Sequence, residues 1–62
     1  MTKREKIAEI MYTLIFEGLA DPIRMVIDID YRVESVARYI EAANIARSIL
    51  NMPPIDLDNY PD

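Results

Sequence analysis

A chain of 62 residues with no cysteine and no histidine must hold its fold together by packing alone. A domain near this size buries only about 60% of the surface that its unfolded chain exposes, which leaves it marginal. Chains this short are usually stapled by a disulfide, a metal ion or a neighbouring subunit. Without cysteine there is no disulfide and no zinc site of the Cys/His type. Association between copies is the route that remains, so the chain is expected to be a homo-oligomer.

The same inventory narrows the chemistry. There is no imidazole to act as a general base near neutral pH and no thiolate nucleophile. A single glycine cannot build a phosphate-cradling loop. An enzyme is not expected, and neither is a metal or another cofactor. Seven basic and eleven acidic residues give a net charge of −4, the opposite of the basic footprint of a nucleic-acid backbone binder. No apolar run is longer than Leu14-Ile15-Phe16, and three residues are far too few to span a bilayer. No apolar leader segment follows the basic start Met1-Thr2-Lys3-Arg4. A soluble, cytoplasmic protein is the expectation.

The spacing predicts an all-α fold of two or three helices. Thr2 and Glu5 fit a capping box, and Gly18 stands where a helix ends, so the first helix covers Lys3 to Glu17. Ile7, Ile10, Met11 and Leu14 form one stripe, and Ala8, Tyr12, Ile15 and Phe16 widen it past half the circumference. That arc is wider than one small monomer covers. Lys3, Arg4 and Lys6 sit at the start of this helix, where the dipole disfavours cations and an acidic partner surface would suit them.

Asp21-Pro22 is a good helix start. Residues 23–31 carry two patterns. Met25, Ile27, Ile29 and Tyr31 alternate as in a strand. Pro22, Met25, Val26 and Ile29 form a helical stripe, which is the favoured reading, with a break near Asp30. A last helix is expected from about Tyr31 to Leu50. Val36, Tyr39, Ile40, Ala43, Ala46 and Leu50 form its apolar face, and Glu34, Arg38, Glu41, Asn44 and Ser48 its polar one. Ala42, Ala43 and Ala46 make one side thin enough for another helix to approach closely.

Residues 1–50 thus form a helical domain and residues 51–62 an extended, Pro-rich acidic tail. Three aspartates and no base give the tail a charge of −3, leaving −1 for the other fifty residues. Ile55, Leu57 and Tyr60 alternate with Asp56 and Asp58, as in a strap lying on a surface. A frayed terminus fits the composition equally well.

The candidate functional residues are those suited to interfaces. Tyr12, Phe16, Tyr31, Tyr39 and Tyr60 supply large amphipathic contact area. Arg24, Arg32, Arg38 and Arg47, with Tyr12, Tyr31 and Tyr39, could line a pocket for an anionic, nucleotide-like ligand between subunits. Asp28 and Asp30 lack the further oxygen ligands of a cation site, so helix capping or pairing with Arg24 and Arg32 is expected of them.

The segments Glu5-Lys6-Ile7-Ala8-Glu9-Ile10-Met11-Tyr12, Arg38-Tyr39-Ile40-Glu41-Ala42-Ala43 and Ile49-Leu50 resemble small phage-encoded or mobile-element helical accessory and inhibitor proteins. The resemblance is one of composition and order, and it carries no functional residue across. It implies binding to a host protein or sequestration of a ligand. A non-enzymatic protein-interaction module is therefore the leading expectation. A homo-oligomer holding a small anionic ligand comes second. Nucleic-acid mimicry by the tail, or binding by the basic N-terminus, ranks last.

Overall fold

Local signals set the ends of each helix. A computed structural model describes residues 1–62 as three α-helices and one 3-10 turn, with no strand. They are α1 (Lys3–Phe16), α2 (Pro22–Ile27), α3 (Ile29–Ile49) and the turn Leu57–Asn59. At the start of α1 the Thr2 hydroxyl accepts from Glu5 N–H at 3.1 Å, and the Glu5 carboxylate accepts from Thr2 N–H at 2.9 Å. The bond from Thr2 N–H, with the Thr2 hydroxyl adding to it, holds the Glu5 carboxyl below the ordinary carboxylate range. At its end Gly18 has φ +71°, the left-handed conformation a glycine tolerates best. Leu19 N–H donates to Leu14 O at 2.8 Å and Gly18 N–H to Ile15 O at 3.1 Å, the paired bonds of a Schellman motif.

Residues 23–31 resolve as helix on both sides of one break. Asp21 caps α2 with its carboxylate on Ile23 N–H, 2.9 Å away. Asp28, with φ −117° and ψ 100°, is at once the C-cap of α2 and the N-cap of α3. Its carboxylate accepts from Tyr31 N–H at 3.1 Å. That cap starts α3 at Ile29, two residues earlier than the apolar pattern alone places it. The α2 stripe is corrected as well, because only Met25 is buried while Val26 and Ile29 face outward. A helix of six residues has room to dock through one anchor.

The far end of α3 closes with a second Schellman motif. Asn51 takes φ 57°, Asn51 N–H reaches Ser48 O at 3.2 Å and Met52 N–H reaches Arg47 O at 2.8 Å. Pro53 and Pro54 then turn the chain back along the helices. The tail is a strap. Asn44 clamps it from α3, accepting from Ile55 N–H at 2.7 Å and donating to Ile55 O at 3.0 Å. Arg47 donates to Pro53 O at 2.9 Å, and Lys3 N–H donates to Pro61 O at 2.7 Å. Asn44, assigned by periodicity to the polar face of α3, is therefore half-buried under the strap.

The core is small. Ile10 and Leu14 from α1, Ala20, Met25 from α2, Val36 from α3 and Ile55 from the strap are the six buried residues. Ile7, Met11, Tyr31, Tyr39 and Ile40 pack around them. The stripe expected of α1 is the one it buries. On α3 the expected face holds from Val36 to Ala43, but Ala46 and Leu50 are exposed. The cause is length: α3 has 21 residues and α1 has 14, so α3 runs past what α1 covers. The molecule measures 35 × 25 × 18 Å, and its thinnest dimension is less than the roughly 20 Å of two packed helix layers.

Candidate interaction surface

Tyr12 and Phe16 stand four residues apart on α1, about 160° around the helix from the buried Ile10–Leu14 stripe and so on its outer face. Their rings stack at 5.9 Å with an interplanar angle of 17°. Both remain exposed, at 67% and 73%. The excess apolar arc of α1 is thus real and is uncovered by the rest of the chain. Leu19 is exposed just beyond, and Ile45, Ile49 and Leu50 are exposed at the far end of α3.

A second apolar surface lies where α3 meets the first turns of α1. Ile7, Ile29, Val33, Val36, Ala37, Ile40 and Leu57 line a groove of about 370 Å³. Arg32 is its one polar wall residue. The Arg32 guanidinium reaches back to Val26 O at 3.4 Å, while its Nε is buried without a partner. Ile29 and Val33 of this lining are exposed, as are Val26 and Ile27 on α2.

The total surface shows how incomplete the burial is. The chain exposes 4813 Å², whereas a compact monomer of 7.2 kDa exposes about 4,100 Å². The surplus of about 700 Å² approaches the roughly 800 Å² that each partner contributes to a standard protein interface.

The remaining tyrosines do packing work. The Tyr31 hydroxyl accepts from Asp21 N–H at 2.8 Å, and the Arg24 guanidinium covers its ring at 4.1 Å. Tyr39 is half-buried against the core, and Tyr60 is half-buried in the strap. The four arginines are held apart, each by its own neighbour. Arg24 pairs with Asp28 at 3.4 Å, Arg38 with Glu34 at 2.9 Å, Arg47 bonds the strap and Arg32 bonds Val26 O. No pocket gathers all four. Arg38, Tyr31 and Tyr39 do share a cleft of about 350 Å³ with Leu14, Leu19, Ser35 and Ala42.

The charge layout is mostly internal. Asp28 is held below the ordinary carboxylate range by Tyr31 N–H, with Arg24 adding to the effect. Asp30 stays exposed beside it. Lys6 is raised by its 2.8 Å hydrogen bond to Glu9. Lys3 approaches Asp58 of the strap at 3.8 Å. The basic start of α1 thus finds one acidic neighbour in its own tail. No group of three acidic side chains converges as a metal site, and no helix is long and apolar enough to cross a membrane.

Sequence patterning missed the Asn44 clamp and the groove. The signal for the clamp was present, since asparagine is a poor choice within a helix unless its side chain has work to do. The groove has no local signal, because Ile7, Val33 and Leu57 meet only in three dimensions. Comparison with protein-family models, curated proteins and solved structures finds no match to this chain.

Proposed function

We propose that this chain is a non-enzymatic protein-interaction module, of the kind represented by phage-type inhibitors of host proteins. The observation that carries this reading is the stacked Tyr12–Phe16 pair, held in the open on a capped helix. Two rings fixed against each other lose little freedom on binding, and aromatic anchors of this sort dominate interface energetics. The surface surplus supports the same reading. The test is affinity capture from a host lysate with the native chain and with Phe16→Asp. A protein retained by the native chain and lost by the variant, at an unchanged melting temperature, supports the module. Equal capture by both variants overturns the role of the aromatic pair.

A second reading is the binding of a small anionic, nucleotide-like ligand. The cleft that joins Arg38, Tyr31 and Tyr39 favours it, since a guanidinium and two phenols suit a phosphate and a flat ring. Thermal shift against a nucleotide panel tests it. Stabilisation lost in Arg38→Ala supports it, and no stabilisation by any nucleotide removes it.

A further inference from the structure

We infer that the groove between α3 and the first turns of α1, together with the basic hollow beside it, binds a small amphiphilic anion: a single apolar chain carrying one acidic head group. The site goes beyond the interaction-module reading. It shares no residue with the Tyr12–Phe16 pair or with the Arg38 cleft.

Three observations carry it. The first is the groove itself. Ile29, Val33, Val36 and Ile40 line it along about 16 Å of α3, with Ile7 of α1 and Leu57 of the strap across from them. Its volume of about 370 Å³ lies in the range of small-molecule sites. An apolar chain laid along it takes Ile29 and Val33, now 65% and 63% exposed, out of water.

The second observation is the hollow. Thr2, Lys3, Arg4, Ile7, Arg32 and Asp62 line a space of about 680 Å³. Ile7 and Arg32 line the groove as well, so the two adjoin. Three cations from two helices therefore gather at one end of an apolar channel. Asp62 shares the hollow, and Asp58 stands 3.8 Å from Lys3. Two carboxylates against three cations leave a single positive charge, which one acidic head neutralises.

The third observation is that Arg4 and Arg32 are both unpaired. Neither has a carboxylate at ion-pairing distance, Asp62 included, in a chain with eleven acidic residues. Arg32 reaches only Val26 O, at 3.4 Å, and its Nε is buried without a partner. Guanidinium groups bind carboxylate and phosphate well because their donors form a planar fork. Charge-assisted bonds of this kind are about twice as strong as neutral ones. The groove supplies affinity for the chain, and the two arginines set which end of it lies where.

Isothermal titration calorimetry with sodium decanoate tests the site, with far-UV circular dichroism as the folding check on each variant. Decanoate is expected to bind saturably with a Kd of about 0.1 mM. Octanoate, shorter by two methylenes, should bind about fifteenfold more weakly. Decanol, which lacks the charge, should bind about tenfold more weakly than decanoate. Val33→Asp, on the groove wall, and Arg4→Gln, at an exposed side chain, should each keep the native helix content and weaken decanoate about tenfold. Phe16→Asp and Arg38→Ala should bind it as the native chain does, which separates this site from both surfaces described above. The absence of saturable decanoate binding at about ten times the expected Kd overturns the inference. So does decanol binding as tightly as decanoate, or unchanged binding in both Val33→Asp and Arg4→Gln. Retention of the chain on anionic phospholipid vesicles without decanoate binding overturns it in favour of a membrane surface.

Discussion

Replacing Asn44 by alanine removes the clamp that holds the strap, and its magnitude follows from the contacts. Asn44 makes two hydrogen bonds to Ile55, at 2.7 and 3.0 Å, at partly buried positions. Each such bond contributes about 1 kcal/mol net, and leaving the Ile55 amide and carbonyl unpaired beneath the strap adds a further penalty of about 1 kcal/mol. The strap can escape that penalty only by lifting, which exposes the Ile55 side chain, now 8% exposed. Losing that burial costs about 2 kcal/mol. Alanine is the better helix former by about 0.6 kcal/mol, which offsets part of the loss. The expected net destabilisation is about 2 kcal/mol, and a domain of this size then melts about 10 °C lower. Thermal denaturation followed by circular dichroism reads the shift, and hydrogen exchange at the Ile55 amide locates it. Asn44→Asp keeps the acceptor for Ile55 N–H and loses the donor, so it should fall between the two. A melting temperature within about 2 °C of the native value, with Ile55 still protected, would refute the clamp.

Other perturbations report on other parts of the fold. Met25, fully buried and the sole anchor of α2, should lose about 2–5 kcal/mol on Met25→Ala; urea titration should show α2 and the core unfolding together, and a loss below 1 kcal/mol would deny Met25 its anchoring role. Gly18→Ala meets no neighbouring atom, since nothing lies within 4 Å of the added methyl. Its penalty is therefore conformational alone, about 1–2 kcal/mol at φ +71°, and an unchanged denaturation midpoint would contradict that. The depressed Asp28 carboxyl contributes stability that is present above its unfolded pKa and is lost as pH falls through the lower folded value. Melting temperature should thus fall more steeply toward acid in the native chain than in Asp28→Asn, and parallel curves would show that the cap charge is irrelevant.

How much was legible in the sequence depends on how local the cause was. The capping box at Thr2 and Glu5, the glycine stop at Gly18 and the Asp21-Pro22 start were all readable, because each involves residues within five positions of one another. The buried stripe of α1 was readable for the same reason, since helical period alone brings Ile7, Ile10, Met11 and Leu14 to one side. The strand pattern at residues 23–31 gave way because alternation over a few residues is weaker than a proline start and an aspartate cap. Asn44 was misplaced because periodicity knows only one core, and the strap supplies α3 with a second covered side.

The sequence by itself determined an all-helical chain with defined ends and more apolar surface than so short a chain can bury. It did so through capping, propensity and period, which act over one or two turns. Only the tertiary structure decided where that surplus lies. Whether Val33 or Val36 is covered, whether the tail frays or folds back, and which arginines stand near which tyrosines depend on the docking of distant segments. Covering one face of α3 with fourteen residues of α1 and a short strap leaves the groove and the Tyr12–Phe16 pair in the open. That geometry follows from how the helices differ in length and where the chain turns, which no single stretch of sequence contains.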